Sequence, residues 1–142
     1  MRGLWLIGVL PGAAGATTWT VDPSDPSAIP KISSAILSSV SGDRVEIVAG
    51  TYSECLDTDG KDLELEGLGG SGSVRVEGTE ECESTLIIQS GESVALIGLT
   101  LQHALGRALE ISASDATLTD VEISGSGTDS IDGGGVYMAG GS

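Results

Sequence analysis

Between β-rich stretches the chain carries Asp57-Thr58-Asp59-Gly60-Lys61-Asp62, three carboxylates around one glycine. Calcium takes several oxygen ligands from acidic loops of this kind, which makes Asp57, Asp59 and Asp62 candidate calcium ligands. The loop lacks the full spacing of a calcium loop and its distal bidentate glutamate. It therefore also reads as a polar turn closed by Asx hydrogen bonds. Asp129 and Asp132, just before Gly133, admit the same two readings. Cys55 and Cys82 lie in turn-rich segments 27 residues apart. In an exported chain two such cysteines form a disulfide; the alternative is two unpaired thiols. Zinc is a poor fit, because His103 is the only histidine. His103 with Gln102 and Arg107 is the densest polar knot, and a lone turn histidine of this sort is expected to face solvent. Arg44, Arg75 and Arg107 fall in different repeats, and no aspartate pair clearly faces one of them. Catalytic groups have to converge from neighbouring segments, so no catalytic residue is expected in these 142 residues.

The segments that position these side chains are set by an unusual composition. There are 22 glycines and no Phe or Asn. Beyond the first sixteen residues the aromatics are Trp19, Tyr52 and Tyr137, so the core must be built from Val, Ile, Leu and Ala. Aliphatic β-formers with many glycines suit short strands joined by tight turns. The net charge of −15 argues against nucleic acid and anionic membranes as partners. Residues 1–16 read as a signal peptide. Arg2 and the amino terminus are basic, Leu4 to Leu10 is a short apolar run, and Ala14-Gly15-Ala16 offers a small-residue cleavage site. The run is too short to span a bilayer, and no later segment is long and apolar enough to do so. The expected location is therefore outside the cell, either secreted or at a bacterial cell surface or outer membrane.

Residues 17–42 should hold a strand at Thr17 to Val21 and one amphipathic helix. Ser27 reads as its N-cap and Pro30 as a first-turn residue. Ile29, Ile32, Ile36 and Val40 follow on one face, which predicts a helix over 27–40. From Asp43 onward, through 43–142, the apolar period is two. Pairs beginning at Val45, Leu63, Leu86, Leu109 and Val136 recur about every 20 residues, the length of one coil in a three-sided solenoid. Stacked coils would align these five residues in one inward column, and Ile47, Leu65, Ile88, Ile111 and Met138 in the next. Val74, Val94 and Ala116 form a second series, and Leu99 is followed by Val121 at the same interval. Glu46, Glu64 and Glu110 would then share an outward acidic stripe, interrupted by Ile87. The fold class expected is all-β: a right-handed parallel β-helix with an N-terminal amphipathic capping helix and an uncapped C-terminal end. An antiparallel sandwich is the competing architecture, and it does not call for columns at a near-constant step.

The stretch from Ala28 to Glu54, with Gly42-Asp43-Arg44-Val45-Glu46-Ile47 and Gly50-Thr51-Tyr52-Ser53-Glu54, resembles the opening of pectin-lyase-like β-helix proteins. Val94 to Leu101 and Ala116 to Ile123 resemble standard coils of that superfamily. Gly133-Gly134-Gly135-Val136-Tyr137 is similar to a Gly-Gly-x-aliphatic motif of bacterial polymorphic outer-membrane and related surface proteins. The Phe-x-x-Asn motif of that group does not occur here. The resemblance implies a fold far more than an activity, because the superfamily includes lyases, hydrolases, esterases, adhesins and inert scaffolds.

Two functions follow as expectations. The first is a secreted or surface scaffold of adhesive type, with no catalytic site in this segment. The alternative is the N-terminal part of a polysaccharide-active enzyme, whether pectate lyase, pectinesterase or glycosidase-like, with its active site in later coils. Either would meet extracellular polysaccharide or cell-surface ligands, and neither requires a cofactor, calcium being the one candidate ion. A carbohydrate-binding module ranks below both, since sugar platforms want exposed aromatics and only Tyr52 and Tyr137 are candidates.

Overall fold

The computed structural model describes residues 16–70, 72–124 and 135–140. The signal-peptide reading, Asp129, Asp132 and most of the Gly-Gly motif lie outside them. In chain order the elements are β1 (Thr18–Val21), α1 (Ile32–Ser38), β2 (Arg44–Ile47), β3 (Gly50–Ser53), β4 (Leu56–Asp57), β5 (Glu64–Gly67), β6 (Val74–Glu77), β7 (Ser84–Gln89), β8 (Ser93–Ile97), β9 (Thr100–Gln102), β10 (Arg107–Ser112), β11 (Asp115–Thr119), β12 (Glu122–Ser124) and β13 (Val136–Ala139). From β2 onward each coil gives one strand to each of three sheets before the next coil begins. The first sheet runs β1-β2-β5-β8-β11, the second β3-β6-β9-β12, and the third β4-β7-β10-β13. All of these pairings are parallel. The result is a right-handed β-solenoid of about five turns, and the sandwich alternative is excluded.

Alternation sends every second side chain inward, and stacking aligns them. Val45, Leu65, Leu96 and Leu118 form one interior column on the first sheet. Leu56, Leu86, Leu109 and Val136 form another on the third, beside Ile88, Ile111 and Met138. The second sheet stacks Tyr52, Val76, Leu101 and Ile123. The Leu86–Leu109–Val136 and Ile88–Ile111–Met138 ladders are as the periodicity predicts. Val45 and Leu63 do not join the first of them, nor Ile47 and Leu65 the second. Leu63 sits just before β5 and belongs with the first sheet. Likewise Val94 pairs with Ala116, while Val74 stands on the second sheet opposite Gly50. The physical reason is unequal corners. The stretches between β5 and β6 and between β6 and β7 are long, so a constant step slides from one sheet to another in that coil.

The cap is smaller than predicted. The helix spans Ile32–Ser38 and buries Ile32, Ala35 and Ile36 over the first coils. Ser27 is not its N-cap: the Ser27 backbone N–H and hydroxyl both donate to the Asp25 carboxylate in a preceding turn. Those bonds, the hydroxyl's first, hold the Asp25 carboxyl below its ordinary value. Ile29 is extended and bridges to Val21. Pro30 disfavours helical geometry in the residue before it, so the helix starts later. Val40 falls beyond the last turn and is 63% exposed.

At the far end Leu118, Val136 and Met138 are exposed although they continue interior columns. Among the described residues no strand pairs beyond β11, β12 and β13.

Two glycines are required by packing. The interior faces of Gly67 and Gly98 meet back to back, and a Cβ on Gly67 would run into the Gly98 carbonyl oxygen. Gly98 has φ +65°, which leaves the corner between the first and second sheets free to turn sharply.

Candidate functional site

The outward face of the third sheet collects the most varied chemistry. Inward Leu109 and Ile111 force Glu110 outward on β10, where it lies between Ile87 and Tyr137 in register. Asp57 continues the same row below Ile87. Glu110 Oε2 accepts from the Ser84 hydroxyl at 2.6 Å and from Arg107 Nη1 at 3.2 Å. The Arg107 guanidinium lies 4.4 Å from the centroid of the Tyr137 ring, a cation–π distance. Arg107 is thus held between a carboxylate and an aromatic ring. Further along, Gln89 Nε2 donates to Asp57 Oδ2 at 3.2 Å. A half-exposed ring, a planar guanidinium, carboxylates and an amide on one flat face suit a ligand with hydroxyls and carboxyl or ester groups.

The three arginines among the described residues lie on three different sheets: Arg44 on the first, Arg75 on the second and Arg107 on the third. The expected acidic stripe is also redistributed. Glu46 pairs with Glu66, Glu64 stands opposite Arg44, and Glu110 belongs to another sheet. Arg44 sits in the middle of this group. Its Nε is 3.1 Å from Glu64 and 3.5 Å from Glu46, and Nη2 is bonded to Glu66. The cation that relieves the like-charge stacking is therefore a side chain of the protein itself.

The candidate calcium ligands take separate partners. Asp57 Oδ1 accepts from the Asp59 backbone N–H at 2.8 Å, an Asx turn, and Asp59 itself has φ +58°. Asp62 Oδ1 accepts from the Ser93 N–H at 2.7 Å. Asp62, Asp43, Glu64 and Asp115 line an open groove of about 510 Å³ beside the first sheet. Among the described residues no group of three His, Cys, Asp or Glu is placed to hold a metal ion.

Cys55 and Cys82 are joined, with their Cα atoms 6.1 Å apart, across neighbouring coils. His103 departs from expectation: it is buried. Its Nδ1 accepts from Leu105 N at 3.2 Å, so Nε2 carries the proton and donates to Cys82 O at 2.7 Å. Gly78 and Gly106 make room for its ring. His103 supports the corner that carries Cys82, rather than facing solvent.

Asp43 was not singled out by sequence, yet it joins the first strand to the coil above. Its carboxylate accepts from Thr17 N, Trp19 Nε1 and Val40 N, each at 2.9 Å. Burial alone would raise its pKa. The bonds from Trp19, Thr17 and Val40 and the charge of Lys61 outweigh that and hold it below the ordinary value. The Gly-Asp-Arg spelling before β2 was the available signal. Glu92 is the other surprise. It is 2% exposed in an interior polar column with Thr58 and Ser114. Its Oε1 is bonded to the Thr58 hydroxyl and accepts from Gln89 N, while Oε2 has no partner.

No protein-family model matches the chain, and no curated protein does. Solved structures do. A pectin methylesterase crystallised in complex with hexasaccharide VII aligns with a TM-score of 0.70 at 19% identity, over 86% of this chain and 45% of the other. Pectin methylesterase PemA from Erwinia chrysanthemi aligns with a TM-score of 0.65 at 17% identity, over 85% of this chain and 44% of the other. The deglycosylated Aspergillus niger pectin methylesterase gives 0.60 at 18% identity, over 87% and 48%. The chain spans less than half the length of each. Identities this low establish architecture alone, and architecture agrees with the stacked columns, the three parallel sheets and the helical cap: the chain has a right-handed parallel β-helix fold like that of these pectin methylesterases.

Proposed function

We propose that these coils belong to a polysaccharide-acting protein of the pectinesterase kind, and that the outward face of the third sheet contributes to its sugar-binding groove. The observation that carries this reading is the superposition of at least 85% of the chain on pectin methylesterases, one of them crystallised with a hexasaccharide. It favours the enzyme alternative over a bare scaffold. No catalytic residue is assigned to the described residues. Such a protein would work outside the cell, which fits the leader read from residues 1–16.

Charge narrows the substrate class. A surface at −15 repels a fully ionised polyuronate and tolerates its neutral methyl ester. Ester hydrolysis would add a negative charge to the product, so the same field would favour product release. The test is affinity electrophoresis of the chain through gels containing highly methyl-esterified pectin or polygalacturonate, together with a methanol-release assay on the esterified polymer. Retardation by esterified pectin, weakening as the polymer is de-esterified, is expected. No retardation by either polymer and no methanol would sink the proposal and return the weight to a scaffold. Unsaturated uronide release would point to a lyase instead.

A further inference from the structure

The N-terminus of α1 has no cap of its own. Lys31 stands at the N-cap position and makes no side-chain cap bond. The first free N–H groups, those of Ile32 and Ser33, donate instead to the two carboxylate oxygens of Glu54, each at 2.9 Å. Glu54 directly precedes Cys55, and the Cys55–Cys82 disulfide fixes the corner between β3 and β4 to the coil above. The corner's other ties are backbone hydrogen bonds and packing. Glu54 N donates to Glu77 O, and β4 is only two residues long. The opposite end of the helix is held independently. Lys61 Nζ donates to Ile36 O, while Asp62 is tied to Ser41 and Gly42. A small groove lined by Lys31, Ser33, Glu54, Cys55 and Thr79 gives access from solvent to the Cys55 side of the disulfide.

We propose that this disulfide is a redox latch on the N-terminal cap: its reduction releases the Glu54 end of α1 while the later coils stay folded. A dithiol reductant supplies two electrons and two protons. The Cys55–Cys82 bond breaks, each sulfur leaves as a thiol, and the dithiol closes to its own disulfide. The product thiols find acceptors in place. Thr79 Oγ1 is 3.2 Å from Cys55 Sγ, and Thr79 O is 3.6 Å from Cys82 Sγ. With the staple gone, the strands on either side still pair with the coil above, but Glu54 loses the covalent tie one residue away, and the N–H groups of the first turn become free to open.

Hydrogen–deuterium exchange on the intact chain, oxidised and after dithiothreitol treatment, tests this, with Cys55→Ser/Cys82→Ser as the permanently reduced form. Expected is at least tenfold faster exchange over residues 32–39, with β8, β9 and β10 unchanged. Oxidised Glu54→Gln, which keeps the disulfide, should reproduce part of that local acceleration. Exchange that is unchanged on reduction, or that accelerates equally through all coils, overturns the latch. So does a Glu54→Gln variant indistinguishable from the parent.

Discussion

Glu54 and Lys61 grip opposite ends of the same helix. The Glu54 carboxylate takes the N–H groups of Ile32 and Ser33, and the Lys61 ammonium donates to the carbonyls of Ile36 and Leu37 at 2.7 and 3.2 Å. Each charge matches the sign that the helix dipole favours at its end. A seven-residue helix is far too short to persist alone, so these side chains and the buried Ile32, Ala35 and Ile36 must hold it. Glu54→Ala should lower stability by about 1–2 kcal/mol, as loss of an N-cap does. Lys61→Met should cost about 0.5 kcal/mol. Urea unfolding followed by far-ultraviolet circular dichroism measures both, and equal, negligible effects would contradict this role for the pair.

That clamp was invisible in the sequence, and the reason is general to this fold. Period-two alternation reported Leu86, Ile88, Leu109 and Ile111 correctly, because it is a local property of a strand. It does not say which coil step carries a long corner, so a constant step puts Val45 and Leu63 in the wrong column. Contacts across 20 or more residues, such as Glu54 to Ile32 or Asp43 to Trp19, follow from stacking and leave no local signature. The disulfide was legible from two cysteines in turn-rich segments of a chain read as exported. The third-sheet face was not, because Arg107, Glu110 and Tyr137 meet only once register is known.

Asp43 should give the fold an acid-sensitive joint. Its folded pKa lies below the unfolded value of 3.8, so its stabilisation is fully present above that value and is lost as pH falls through the lowered folded value. Asp43→Asn removes this contribution and leaves donors among Thr17, Trp19 and Val40 unpaired. The variant should be less stable at pH 7 by about 1–3 kcal/mol. Its stability should also fall less steeply than that of the parent below about pH 4. Parallel pH profiles for the two proteins would refute the assignment.

Glu92 is an opposite case, a buried carboxyl with one oxygen unpartnered. Burying a charge without a cation costs free energy. Glu92→Gln keeps Oε1 for the Thr58 hydroxyl and Gln89 N while removing the charge. The new amide N–H groups take the place of an oxygen with no partner, so the net change should stay within about 1 kcal/mol, read in Tm. A clear loss would mean that Oε2 meets a donor in solution.

Position in the column should decide the cost of truncation. Leu86, fully buried between Leu56 and Leu109, should lose about 2–5 kcal/mol on replacement by Ala. Leu37, 71% exposed, should lose less than about 0.5 kcal/mol. Similar costs at the two sites in chemical denaturation would be incompatible with this interior.

The stacking itself is tested most directly by backbone NOEs in an isotope-labelled sample. Parallel pairing places Leu109 beside Leu86 and Leu118 beside Leu96. The expected cross-peaks are the HN–Hα set of parallel neighbours at these two ladders, with the same pattern at Ile111 and Ile88. Strong Hα–Hα contacts typical of antiparallel strands, or NOEs pairing Leu63 rather than Leu109 with Leu86, would contradict it.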